Sequence, residues 1–390
     1  MVGLSNLEGI LKALNKKYGE GTIVRAVDAK ALEVERIPTG SLTLDIVTGG
    51  GIPENRITLL TGGYSSAKTS VALKVVGNAQ RKFKERYERN IAKGKTSTPK
   101  KCVWIDAEGA FDEEWARKLG VDTEDLIVVR PEYGEQALDI ADVIIKSGDC
   151  GLLVLDSIAG LVPRGEAEES MEKLFMGDLA KMMNKFFRKL TAGMNAMDLT
   201  NPDEKAPTVV LINQYREKIG VMYGNPNTLP GGRGQEYSAS VILELRRGDW
   251  IEYKYEKNGV NVEEIIGQWI KVYGVKNKTA PPKRSGQVRF FFTDTGTFKA
   301  GEFDVVEEVV RYAIHYGFIE RRGSYYYVQG IEEGFQGSGK VVIFLRQHPE
   351  IIEELHKKIL RLVFTDNGAI QEKKDEPIVL EEVEKETIEG

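Results

Sequence analysis

The sequence predicts an α/β protein: a mostly parallel sheet flanked by helices, preceded by an N-terminal docking helix and followed by a small α+β domain. Three observations carry that expectation. Between about residues 35 and 295, short apolar runs alternate with helical stretches, the rhythm of parallel strands joined by crossover helices. One of these strands runs straight into a turn of small residues that opens a helix. The chain of 390 residues is 41% hydrophobic and 29% charged, enough for two or three domains with ordinary cores. That composition excludes collagen-like, wholly disordered and membrane-embedded chains, and no run of about 18 apolar residues occurs.

Residues 5–18 are expected to form an amphipathic helix. Leu7, Ile10, Leu11 and Leu14 recur at helical spacing, Ser5 and Glu8 form a capping box, and Gly19 and Gly21 end it. One short helix cannot bury its own apolar stripe, so 1–34 is read as an oligomerisation helix and linker. Strands are expected at 57–61, 103–106, 126–130, 152–155, 209–212 and 241–245, with helices at 68–88, 113–118, 135–147 and 177–192 between several of them. Runs at 269–275 and 288–292 read as antiparallel additions that complete a 35–295 core. A composition break at Thr293-Asp-Thr-Gly-Thr opens a domain over 296–370, read as a helix, an aromatic hairpin at Tyr325-Tyr-Tyr-Val, a glycine-rich turn and a helix after Pro349.

Charge is distributed unevenly. Residues 371–390 hold eight acids and three lysines, a balance of −5 that equals the net charge of the chain; the first 370 residues carry 51 bases and 51 acids. The tail is expected to be disordered, and the neutral body leaves room for local basic surfaces that meet a polyanion. Residues 81–101 hold nine bases and two acids. The plainer reading is a solvated helix extension and loop; the functional one is a phosphate-contacting patch. Residues 192–207 read as an extended polar loop. With two cysteines, Cys102 and Cys150, and no basic-then-apolar leader, a reducing, cytoplasmic setting is expected. Three scattered histidines are too few to build a metal site.

The sharpest chemical signal is Gly62-Gly63-Tyr64-Ser65-Ser66-Ala67-Lys68-Thr69-Ser70, between a strand and a helix. Small residues let backbone N–H groups converge on phosphate oxygens, the helix N-terminus adds positive potential, and a lysine reaches the β/γ oxygens. Thr69 supplies a hydroxyl for Mg²⁺. Three further strand ends carry polar groups. Asp156 ends an apolar run and suits a Mg²⁺-bound water. Glu108, after Val103-Trp-Ile-Asp-Ala, suits the activation of a water. Asn213-Gln214 offers amides able to sense a γ-phosphate. Singly each is an ordinary strand-end residue; together they describe a nucleotide site.

These residues resemble the bacterial RecA recombinase family. The likeness runs over about residues 7–363 and rests on Pro38-Thr-Gly-Ser-Leu-Thr-Leu-Asp45, Ile105-Asp-Ala-Glu108, Trp115-Ala-Arg-Lys-Leu-Gly120, Gly134-Glu-Gln-Ala-Leu138, Lys218-Ile-Gly-Val-Met-Tyr-Gly-Asn-Pro226, Gly231-Gly232 and Val275-Lys-Asn-Lys278. The resemblance implies a RecA-like P-loop ATPase core that uses ATP and Mg²⁺. It implies that Lys68, Thr69 and Asp156 hold phosphate and metal, that Glu108 is the general base and that Gln214 senses the γ-phosphate. Asp112 and Trp115 would recognise adenine. Lys276 and Lys278 would reach the ATP site of the adjoining subunit, where two cations stabilise developing charge only once a neighbour is present; taken alone they read as an exposed turn before Pro281-Pro282.

The resemblance also implies that DNA lies on two loops. The first, 164–176, holds Glu166, Glu168, Glu169 and Glu172, so backbone groups and Met176 are its expected contacts. The second, 215–233, offers Arg216, Lys218, Gly231, Gly232 and Arg233, with Ile219 as a wedge between bases, and Arg188 adds a phosphate contact. The partners implied are single- and double-stranded DNA and further copies of the chain in a helical filament, with single-strand-binding and mediator proteins as accessories. The acidic tail reads as a polyanion that competes with DNA and is weakened by Mg²⁺. The implied function is ATP-dependent homologous pairing and strand exchange. Two other readings stand beside it: a hexameric helicase with the same nucleotide site, and an accessory paralogue that binds ATP and DNA without useful turnover. Ala67 in place of the last loop glycine, Gly63-Tyr64 where bacterial members favour Pro-Glu, and the two insertions set the chain apart and suggest a phage-type or otherwise divergent member.

Overall fold

The structure, a computed structural model, describes residues 6–19, 22–26, 34–168, 177–195, 206–217, 227–257 and 260–365. Helix α1 (Asn6–Tyr18) shows Leu7 and Ile10 to solvent, as an unpartnered stripe would. A short antiparallel pair follows, β1 (Arg36–Ile37) and β2 (Ile52–Pro53), enclosing α2 (Leu42–Thr48). Ser41 caps α2, its Oγ accepting from the Leu44 amide at 3.2 Å. The α/β alternation then runs β3 (Ile57–Gly62), α3 (Lys68–Ala92), β4 (Lys101–Asp106), α4 (Glu113–Lys118), β5 (Leu126–Val129), α5 (Gly134–Lys146), β6 (Cys150–Asp156), α6 (Arg164–Glu168), α7 (Asp178–Asn195) and β7 (Thr208–Gln214). A small pair, β8 (Arg216–Glu217) and β9 (Asn227–Thr228), precedes α8 (Gly234–Ser238). A long antiparallel hairpin, β10 (Val241–Lys257) and β11 (Val260–Asn277), leads to β12 (Ser285–Phe291). The C-terminal part comprises α9 (Val305–His315), a three-stranded sheet of β13 (Ile319–Arg322), β14 (Tyr325–Val328) and β15 (Gly334–Gln336), then α10 (Ser338–Arg346) and α11 (Pro349–Thr365).

The central sheet has eight strands in the order β12-β11-β10-β3-β7-β6-β4-β5. From β10 to β5 every neighbouring pair is parallel, and the two outer pairs at the other edge are antiparallel. The expected parallel core and antiparallel additions are therefore present. Alternate residues face opposite layers. Trp104, Val154 and Val210 pack beneath α3 with Val71, Val75, Ala79 and Phe83. Val103, Leu153 and Val209 pack beneath α5 and α7 with Leu138, Ala141, Phe187 and Leu190. Burial of such side chains contributes roughly 1.5–3 kcal/mol each, so both layers fix the strand ends that carry the polar groups.

The structure differs from the expected elements in three places. The strand expected at 241–245 continues to Lys257, α2 is an additional helix, and the glycine-rich turn after the aromatic hairpin contains β15 and α10. Helix α3 extends to Ala92, and part of the basic run is used internally. Lys82 and Arg86 bind the buried Glu54 at 2.5 and 2.7 Å and also Glu35, while Lys101 pairs with Asp125. Much of the segment thus ties the helix to the body. Residues 192–195 of the expected polar loop belong to α7, and 196–205 lie outside the described residues, as does the 371–390 tail.

Helix α2 joins the α/β body to the C-terminal part. Its Leu42 and Ile46 share a cluster with Val309, Ile319, Leu345 and Ile359. At that seam the buried Glu308 accepts from Ser41 Oγ at 2.7 Å and from the Thr43 amide at 2.6 Å. Burial raises its pKa to about 7, against the opposing hydrogen bonds from Thr43 and Ser41 and the attraction of Arg311. The folded state therefore favours the protonated acid. That contribution is present below the unfolded-state value and is lost as pH rises through about 7. Glu308→Gln is expected to remove a loss on the order of 3 kcal/mol between pH 4.5 and 7. Thermal midpoints across that range test this; an unchanged pH slope in the variant would rule it out.

Candidate nucleotide and DNA site

Strand β3 is buried along its length and delivers Gly62 to the sheet's C-terminal edge. A Cβ on Gly62 would lie 2.1 Å from the Leu245 carbonyl oxygen, so glycine is required there. Ser65 (φ 53°) and Ala67 (φ 62°) both sit in the left-handed region. Each such non-glycine residue costs about 1–2 kcal/mol. At Ala67 the loop keeps a glycine-like path and carries the methyl as backbone strain. The loop folds on itself: Lys68 Nζ donates to Gly63 O at 2.6 Å and to Ser66 Oγ at 3.2 Å, and Ser66 Oγ donates to Gly63 O at 2.9 Å. Burial lowers the Lys68 pKa, while Asp156 and Glu108 oppose the shift. From the sheet, Gln268 Nε2 donates to Ser65 O at 3.0 Å.

Two adjoining strands bring the acids to this loop. Thr69 Oγ1, on the first turn of α3, donates to Asp156 Oδ2 at 2.9 Å. Burial raises the Asp156 pKa to about 6; the Thr69 hydrogen bond lowers it, and Glu108 and Asp106 add to the rise. A buried carboxylate with a bound hydroxyl beside a phosphate loop is the donor set that suits Mg²⁺, which takes one or two protein oxygens and completes its shell with phosphate and water. Glu108 Oε1 accepts from Ser157 Oγ and from Gln214 Nε2, the latter at 3.0 Å. Asp106 accepts from the amides of Ala110 and Phe111 at 3.0 and 3.1 Å and from Arg130 Nε at 3.1 Å, fixing the loop that carries Glu108.

On the other flank, Asp112 caps α4 by accepting from the Trp115 amide at 3.0 Å. Trp115 Nε1 donates to Ser70 Oγ at 3.3 Å, and its ring meets the Phe290 ring edge-on at 6.3 Å. Asp112, Trp115 and Ser70 therefore stand beside the first turn of α3. The second of the two loops expected to meet DNA is rooted at the same place. A cleft of about 810 Å³ joins Gly63, Tyr64, Glu108, Gln214, Arg216 and Arg246. Arg216 donates to Ala159 O at 3.3 Å. The far leg of that loop is held by a buried amide pair. Asn213 Nδ2 donates to Gln235 Oε1 at 2.7 Å, and Gln235 Nε2 donates to the carbonyls of Pro230 and Gly232 at 2.7 and 2.8 Å. Gly231 (φ 84°) and Gly232 (φ 73°) turn the chain there, and a Cβ on Gly231 would lie 2.8 Å from Ile158 Cγ2. Arg233 and Arg188 are exposed. Met176, Lys218 and Ile219 lie outside the described residues.

Lys276 and Lys278 are not brought to this site. Lys276 pairs with Ile242, which pairs with Leu59 near the start of β3, and the Lys278 amide donates to Ser240 O at 2.9 Å. They stand at the opposite strand ends from the loop. Lys276 Nζ donates to the carbonyls of Glu236 and Tyr237 at 2.5 and 3.3 Å. Burial first, and the nearby Lys278 second, lower its pKa.

The family model for the RecA N-terminal domain matches residues 5–296, and that for the RecA C-terminal domain matches residues 307–363. The chain belongs to the RecA family. Proteins named RecA from Mannheimia haemolytica and Thermus aquaticus are each 37% identical to it, over 92% and 91% of this chain and 87% and 93% of theirs. RecA from Bifidobacterium breve is 38% identical over 90% of this chain and 80% of its own length. Membership decides between the readings set out above: the protein is a DNA-dependent ATPase and recombinase that forms a helical filament on single-stranded DNA and exchanges strands, rather than a ring helicase. Ser157, Gln235 and Gln268 also hold the site, and none of them belongs to a motif that assigns it a role. The available signal for Gln268 was a lone amide within an apolar strand, where a buried amide must find a partner; Gln235 carries no such signal.

Proposed function

We propose that Glu108 and Gln214 couple ATP hydrolysis to the grip on DNA. The observation that carries this reading is their hydrogen bond, because it ties the water-activating acid to the root of the second DNA loop. Gln214 and Ser157 both donate to Glu108 Oε1, which engages one of the two carboxylate oxygens a base can use. A γ-phosphate competes for the Gln214 amide, releasing Glu108 toward water and pulling β7 and the loop that follows it. Lys68 exchanges the Gly63 carbonyl for phosphate oxygens. Thr69 and Asp156 hold Mg²⁺, which when bound neutralises phosphate charge. Asp112, Trp115 and Ser70 form the adenine side, with the indole as a stacking face.

Arg216, Gly231, Gly232, Arg233 and Arg188, together with Met176, Lys218 and Ile219, form the DNA path. The segment 1–34 is the docking arm, 35–295 the motor, 296–370 the small domain, and 371–390 a polyanionic competitor for DNA. A cytoplasmic setting and accessory single-strand-binding and mediator proteins complete the reading; among the described residues no helix is long and apolar enough to cross a membrane.

Glu108→Gln is expected to lower DNA-stimulated turnover by about 10²-fold or more while ATP still binds, since a general base contributes on that scale. Phosphate release and nucleotide binding measured side by side check it. Turnover within a few-fold of wild type would remove Glu108 from the reaction.

A further inference from the structure

Several contacts that hold the phosphate loop are made by groups that must let go of it. Lys68 and Ser66 bond to Gly63 O, and both face the phosphates in the proposed site. Gln268 is different. It sits on β11, opposite Trp250 and Phe290 in register, outside the loop and outside the helix that follows. It is 2% exposed, its Nε2 holds the Ser65 carbonyl, and its Oε1 has no hydrogen-bond partner among the described residues.

A buried amide with an orphaned acceptor is an unfavourable choice for packing. An apolar side chain of like size would remove that cost. Ser65 itself is exposed, so water can serve its carbonyl if the amide is absent. Stability therefore gives little reason for glutamine at 268. The loop does give one. Ser65 and Ala67 are held in left-handed conformations that a glycine would adopt without strain. A tether from a rigid strand to the carbonyl between them biases the loop toward that path.

We infer that Gln268 is a positioning residue for ATP binding: from the sheet it holds the phosphate loop in a glycine-like path that Ala67 alone disfavours. This rests on the nucleotide site proposed above and deepens it. Gln268 touches no phosphate. It acts through Ser65, so its removal lowers the fraction of loops ready for ATP and leaves the chemistry at Glu108 intact.

The test uses full-length protein with single-stranded DNA, Gln268→Met and Gln268→Leu, each alone and combined with Ala67→Gly. With Ala67 in place the expected result is a KM for ATP raised about tenfold, the scale of one hydrogen bond. The expected kcat stays within about twofold, as for lost binding rather than lost transition-state contact. The thermal midpoint without nucleotide is unchanged or higher. In the Ala67→Gly background the same substitutions raise KM only about two- to threefold, since glycine takes up the loop path unaided. A wild-type protein that fails to bind ATP would remove the site reading itself. A wild-type protein that binds, with variants whose KM is unchanged, overturns the inference. So does a KM rise that tracks a lowered thermal midpoint and is not relieved by Ala67→Gly, because that is the mark of a packing role.

Discussion

Lys68→Ala is expected to abolish DNA-stimulated ATP hydrolysis and strand exchange together, each by about 10²-fold or more. Lys68 is 6% exposed and burial lowers its pKa, while Asp156 and Glu108 favour the charged form. A desolvated cation at a phosphate loop is worth far more to a polyanion than one in water. Its present partners are Gly63 O and Ser66 Oγ at the loop, and Gly63 is exposed to water. Removing the amine therefore leaves the fold intact, and the thermal midpoint is expected to hold within a few degrees. Coupling follows from the cleft. Gly63, Gln214 and Arg216 line one space, so loss of phosphate binding at the loop also withdraws the ligand that pulls on Gln214. Measuring hydrolysis, nucleotide-dependent DNA retention and three-strand exchange on one preparation checks the claim. A variant that hydrolyses no ATP yet exchanges strands at the wild-type rate would show that occupancy of the pocket and grip on DNA are separate.

The core strands were legible because their periodicity is clean. Runs such as Leu152–Leu155 and Val209–Ile212 are buried on both faces, and both antiparallel additions pair as the alternation predicted. The full length of the hairpin was not legible. Beyond Leu245, β10 carries Arg246, Arg247, Glu252 and Lys254 among aromatics, a pattern with charge on both faces and little to bury. The Asn258-Gly259 dipeptide that separates β10 from β11 is the local hairpin signal that would have extended it. The motif residues stand together at one sheet edge, where Thr69 meets Asp156 and Gln214 meets Glu108. The residues that hold them were not legible in the sequence. Gln235 reaches back from α8 to Asn213, and Gln268 reaches the loop from 203 residues along the chain. Only the fold brings those amides to their partners.

Neither the Lys68→Ala variant nor a Lys276→Ala, Lys278→Ala double variant is expected to hydrolyse ATP at more than about 1% of the wild-type rate, yet a mixture of the two should recover activity. The reason is where the lysines stand. Lys276 is aligned with Leu59, three positions before the end of β3 and two strands over, which at about 3.3 Å per residue sets its backbone about 10 Å back along the strand direction from the end that carries the phosphate loop. Its amine is turned to the carbonyls of Glu236 and Tyr237, and Lys278 lies farther still from that end. One subunit therefore cannot place these cations on its own phosphates. The expected result requires that a head-to-tail filament bring the lysine edge of one copy to the loop edge of the next. In an equimolar random filament, about a quarter of the boundaries combine an intact Lys68 with an intact lysine pair, and turnover should approach that fraction of wild type. Single-stranded DNA and saturating ATP should be present so that assembly does not limit the rate. A mixture as inactive as either parent would mean that the lysines serve the pocket of their own chain, and the filament boundary would lose its part in catalysis.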